Sequence, residues 1–252
     1  ATKYILNYWA LDKGIISSDE GWYLILQDRM VVDVGTHEHL IFGLLPFTND
    51  IFYNRLTCYI LSLFAIFTFS YGIWAFIKYK LQNEVSFWII LGILCLGSLY
   101  IESCSTLNYT QLVPIIIQTT LGLLLTGLAC NNKYAIFLAG FVFTLLFPVK
   151  ITSLSLAPFL VLFIFLVSNK AWKFTFLAII GFFTCSLLYC GFVESPAEIT
   201  NWFNSLAKQT VENGSNEYGL VYLLKWLLQT LSYCVRWTII SIVLAFSLLY
   251  LI

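Results

Sequence analysis

The chain has 252 residues, of which 60% are hydrophobic, 18% aromatic and only 10% charged, with a formal net charge of zero at pH 7. That balance excludes an ordinary soluble domain, and the lack of net positive charge argues against a nucleic-acid partner. Apolar runs long enough to cross a bilayer core set the expected fold class: all-α, a polytopic transmembrane helical bundle with an outside juxtamembrane amphipathic helix.

Residues 1–50 read as a first loop ahead of the spans, and nothing in them reads as a signal peptide. Within it, "SSDEGWYL" places Asp19 and Glu20 beside Trp22 and Tyr23. Ser17 followed three residues later by Glu20 is a capping box, and acidic residues suit the first turn of a helix. From Trp22 to Val34, apolar residues alternate in blocks with Gln27, Asp28, Arg29 and Asp33. Such a helix would lie along the membrane surface with its aromatic residues at headgroup depth. Capping accounts for Glu20 better than for Asp19. A carboxylate pair there could also act as a general base or hold a divalent cation through oxygen ligands. The same loop adds His37, Glu38 and His39 in "GTHEHLIFGLLPF". The two histidines project in opposed directions on either a strand or a helix, a poor metal pair, and read as solvated or acceptor-contacting residues.

Spans are expected at about 52–77, 86–101, 111–130, 134–149, 153–168, 174–193 and 236–252, with boundaries soft by a few residues. Arg55, near the start of the first, reads either as a phosphate ligand or as an anchor of the helix end. Glu102 and Tyr109 fall in the loop before the third span, where they line a cavity or mark a helix end. Lys150 sits in a very short turn between two spans. An ionisable residue there is a functional candidate, and a snorkelling lysine that ends a helix is the alternative. The stretch 194–235 reads as a loop containing an interfacial segment, "GLVYLLKWLLQTL", before the last span. The chain starts at Ala1 and stops inside "TIISIVLAFSLLYLI", so 1–252 is read as one membrane domain cut from a longer protein. The seven cysteines mostly lie in or beside apolar runs without a CxxC, and neither a metal site nor a disulfide framework is inferred.

Orientation follows from the short loops. Lys78 and Lys80, then Lys133, then Lys170 and Lys173 fall in alternate connections, which must share one side, and that side is expected to be the cytoplasm. Twelve of the thirteen acidic residues fall in the opposite loops, Glu84 being the exception. Residues 1–50 and 194–218 are then outside.

An acidic pair opening a helix in the first outside loop, followed by Gly35 and "THEHL", resembles the first-loop motif of the GT-C superfamily of membrane glycosyltransferases, which includes aminoarabinose and protein mannosyl transferases. Where many relatives have His-Pro-Pro-Leu, this chain has "HEHL". A second stretch, "FLAGFVFTLLFPVKITSLSLAPFLVLFIF", is similar to that family's apolar helix, lysine turn and returning helix, with Lys150 in the place of its lysine. The resemblance implies transfer of a sugar from a polyprenyl-phosphate-linked donor to a lipid, glycan or protein acceptor at the outer face of a bacterial inner membrane. Asp19 and Glu20 would be catalytic, Lys150 and Arg55 would bind the donor phosphate, and Trp22, Tyr23, His37, His39, Glu102 and Tyr109 would contact substrate. No resident metal is assigned, and the acid pair is the place for a divalent cation. The rival readings are a transporter or flippase of a lipid-linked saccharide, and a noncatalytic subunit that binds glycan-lipid. Transporters usually carry inverted repeats and broken helices near mid-membrane, and no convincing repeat is present.

Overall fold

A computed structural model describes residues 51–97, 109–149, 151–193, 195 and 197–201. They fall in two units, Ala1–Pro196 and Ala197–Ile252, and in the second the described residues 197–201 are helical. The juxtamembrane helix expected in residues 1–50 and the last span at 236–252 lie outside the described residues.

The first unit is a helical bundle: α1 (Ile51–Tyr79), α2 (Phe87–Gly97), α3 (Tyr109–Ala129), α4 (Lys133–Thr144), a short α5 (Leu146–Val149), a 3-10 segment (Ile151–Leu156), α6 (Ala157–Val167) and α7 (Ala171–Phe192). Three stretches are long and apolar enough to cross a membrane: Phe52–Tyr79, Gln111–Ala129 and Ala171–Phe192. At 1.5 Å per residue, the 22 residues of α7 extend about 33 Å, and a hydrocarbon core is about 30 Å thick. The outer faces of α1, α2, α6 and α7 carry Phe64, Trp88, Phe159, Leu166, Phe176, Leu187 and Phe192, all exposed. In water such a surface would be an aggregation hazard; against lipid it is the required one. The protein is an integral membrane helical bundle.

Two of the expected spans are interrupted. The run 134–149 breaks at Leu145, between α4 and α5, and the return begins as a 3-10 segment before α6. Proline explains both. Pro148 has no N–H to donate to the carbonyl four residues back, Thr144, and its ring crowds that group, so α4 ends there. Pro158 lies in the first turn of α6, where its missing N–H costs nothing.

Small residues set the helix contacts. A side-chain carbon added at Gly140 of α4 would strike the backbone of Ala178 in α7, and one at Gly181 of α7 would strike that of Phe137 in α4. Gly72 of α1 and Gly122 of α3 face each other in the same way. Helices in lipid gain little from burying apolar surface, so close backbone approach and van der Waals packing hold them together. The Thr144 hydroxyl lies 3.0 Å from the Gly140 carbonyl and 3.1 Å from that of Phe182 on α7, adding a polar tie to the glycine contact.

The turn between α3 and α4 is built by two asparagines. Asn131 takes the left-handed conformation (φ 52°), which Asn tolerates better than most residues. The N–H of Asn132 then donates to the Gly127 carbonyl at 2.9 Å, the longer bond of a Schellman motif. Asn132 in turn caps α4, its Oδ1 accepting from the N–H groups of Tyr134 (3.0 Å) and Ala135 (3.4 Å).

The three lysine-bearing connections gather at one end of the bundle. Lys170 Nζ donates to Asn131 Oδ1 at 3.3 Å, joining the turns after α3 and after α6. The rings of Phe76, near the end of α1, and Phe163, near the end of α6, are 6.3 Å apart. Aromatic residues collect here too: Lys78 Nζ lies 4.9 Å from the Trp74 ring centroid and 5.5 Å from that of Tyr79, and Lys133 Nζ 5.1 Å from that of Tyr134. Lysines snorkelling over aromatic rings are the signature of a membrane–water boundary.

Candidate functional site

The opposite end is polar inside. Asn54 and Arg55, in the first turn and a half of α1, are both 0% exposed, and Gln111 near the start of α3 is also buried. Each of the three is engaged in further interactions. The apolar floor beneath them contains Cys58 of α1, Leu112 and Ile115 of α3, Leu146 and Val149 of α5 and Phe143 of α4. The far end of α7 reaches the same level, since the Phe147 and Tyr189 rings are 6.3 Å apart.

The sequence left Arg55 as either a phosphate ligand or an anchor of the helix end. An arginine that merely anchors a helix end extends its guanidinium to water and headgroups, whereas this one is wholly enclosed. Burying an arginine is costly unless its guanidinium is paired, and Arg55 is engaged in further interactions. Asn54 and Gln111 were missed by sequence reasoning. Their signal was present: Asn-Arg directly after "IFY" opens an otherwise apolar helix, and "YTQ" does the same for α3.

Of the other candidates, Tyr109 is the first residue of α3 and belongs to this end by position. Asp19, Glu20, Trp22, Tyr23, His37, His39, Glu102 and Lys150 lie outside the described residues. By chain connectivity, residue 50 adjoins α1, residue 108 adjoins α3, and Lys150 directly follows the fully buried Val149. The described parts of α1 and α3 both begin at this end.

The chain matches no family model, no curated protein and no solved structure.

Proposed function

We propose that the chain is a GT-C-like membrane glycosyltransferase that moves a sugar, with inversion, from a polyprenyl-phosphate donor to an acceptor at the outer face of a bacterial inner membrane. What carries this reading is the enclosed Arg55 at the end of the bundle opposite the lysine–aromatic belt. The belt fits a cytoplasmic boundary by the distribution of lysines in short loops. The Arg55 end is then the outer one, where the acidic first loop and the Lys150 turn attach.

The chemistry follows from the donor. Its prenyl tail stays in the bilayer while its sugar phosphate sits at headgroup level, beside Trp22 and Tyr23. Asp19, assisted by Glu20, takes the proton from the acceptor hydroxyl or amine, whose lone pair attacks the anomeric carbon from the face opposite the phosphate. The bond from that carbon to the phosphate oxygen breaks, and its electrons leave with the prenyl phosphate. Arg55 and Lys150 meet the charge that develops there, the guanidinium being shaped for paired hydrogen bonds to phosphate oxygens. His37, His39, Glu102 and Tyr109 would hold sugar and acceptor. One general base contributes about a hundredfold to ten-thousandfold in rate.

The test uses the purified chain in proteoliposomes loaded with a polyprenyl-phosphate-linked sugar and a hydroxylated acceptor. Release of free polyprenyl phosphate with a covalent glycosyl product supports the enzyme. Movement of the intact donor between leaflets without product supports the flippase instead.

A further inference from the structure

Five lysines stand at the end of the bundle opposite Arg55. Lys78 lies in the last turn of α1 and Lys80 just after it, Lys133 opens α4, Lys170 is the residue before α7 and Lys173 is in its first turn. All five are exposed, and the one acidic residue among the described residues of this end is Glu84, also exposed. Five ammonium groups against one carboxylate leave a net charge of +4. None of the five forms an ion pair among the described residues.

Three of them meet at one junction. The 3.3 Å bond from Lys170 Nζ to Asn131 Oδ1 holds the α6–α7 turn against the α3–α4 turn. Lys133 is two residues beyond Asn131, and Lys173 three residues beyond Lys170. Glu84 is on neither turn, and belongs instead to the connection that carries Lys80. The Asn131 oxygen takes one N–H of the Lys170 ammonium and leaves two. Ammonium groups on two tied turns, with no carboxylate among them, repel one another, and a shared anion removes that repulsion.

What borders the junction identifies the anion. Leu166 near the end of α6 and Trp172 and Phe176 at the start of α7 are 76%, 79% and 64% exposed, so large apolar side chains face lipid directly beside Lys170 and Lys173. The Phe165 ring packs perpendicular to that of Trp172 at 4.9 Å, closing the seam between α6 and α7 beneath the lysines. A soluble anion would meet only the ammonium groups. A molecule with an anionic headgroup and acyl chains meets both surfaces, and basic clusters between membrane helices at headgroup level recognise such lipids. We infer that the junction of the α3–α4 and α6–α7 turns is a binding site for an anionic phospholipid, its headgroup phosphate held by Lys133, Lys170 and Lys173 and its acyl chains lying along Leu166, Trp172 and Phe176. The site is independent of the transfer chemistry proposed above, which belongs to the opposite end.

The test uses native mass spectrometry of the chain in detergent, which resolves lipids bound one at a time, titrated with phosphatidylglycerol or with zwitterionic phosphatidylcholine. The first phosphatidylglycerol should bind at least about fivefold more tightly than the first phosphatidylcholine, the equivalent of the attraction of one lysine for an anionic surface. The triple variant Lys133→Gln/Lys170→Gln/Lys173→Gln should lose that preference. Lys78→Gln/Lys80→Gln, which removes charge from the same end but not from the junction, should keep it. Glycerol phosphate, the headgroup without chains, should not displace the lipid at equal concentration. Equal affinity for the two lipids in the wild-type chain would overturn the assignment. So would an undiminished preference in the triple variant, an equal loss in Lys78→Gln/Lys80→Gln, or displacement by glycerol phosphate.

Discussion

Lys170 and Asn131 lie 39 positions apart in sequence, yet the lysine ammonium donates to the asparagine carbonyl oxygen at 3.3 Å. That one bond ties together the turns after α3 and after α6, each of which carries lysine. It gives the alternation of basic loops a geometric basis: the turns share one end because the helices between them cross and return.

Sidedness is open to direct measurement through Cys130, which is exposed beside Asn131, while Cys58 and Cys185 are buried. A membrane-impermeant maleimide should label Cys130 in inverted vesicles and leave it unlabelled in intact spheroplasts, with Cys130→Ser as control. Cys58 and Cys185 should react only after unfolding. Labelling of Cys130 from the outside would reverse the assigned orientation.

Glycine contacts supply the second prediction. Gly140→Val and Gly181→Val each force a side chain into facing backbone, so each should lower stability by about 1–3 kcal/mol, measured by thermal unfolding in detergent. Gly92→Val should stay within about 0.5 kcal/mol, because a side chain there meets nothing within 4 Å. Equal losses at all three would mean that α4 and α7 are not packed through these glycines.

Arg55 separates a phosphate ligand from a structural arginine. Arg55→Gln should weaken binding of a polyprenyl-phosphate-linked sugar about tenfold to a hundredfold, since a hydrogen bond to a charged group is worth about 1.5–3 kcal/mol. Arg55→Lys should recover only part of the loss, because an ammonium cannot reproduce the paired geometry. Unchanged donor affinity in Arg55→Gln, with lowered thermal stability, would assign Arg55 to structure alone.

Much of the bundle was legible because hydrophobic length is a direct readout of bilayer thickness. The expected spans at 52–77, 111–130 and 174–193 meet helices at Ile51–Tyr79, Tyr109–Ala129 and Ala171–Phe192. The interruption at Leu145 was less visible, although Pro148 announces it, since apolar composition runs unbroken through both α4 and α5. Arg55 was legible as a candidate but its enclosure was not. Burial of a helix-end arginine depends on what packs over it, and no local pattern encodes that. The acid pair lies outside the described residues, and its role rests on the chemistry of its motif.

Asp19 carries the central claim, and its conservative amide tests it most directly. Donor binding and release of free polyprenyl phosphate should be measured side by side for the wild-type chain and for Asp19→Asn in proteoliposomes. The account requires Asp19→Asn to bind donor as the wild type does while release falls by about a hundredfold or more. Wild-type release by Asp19→Asn would contradict it.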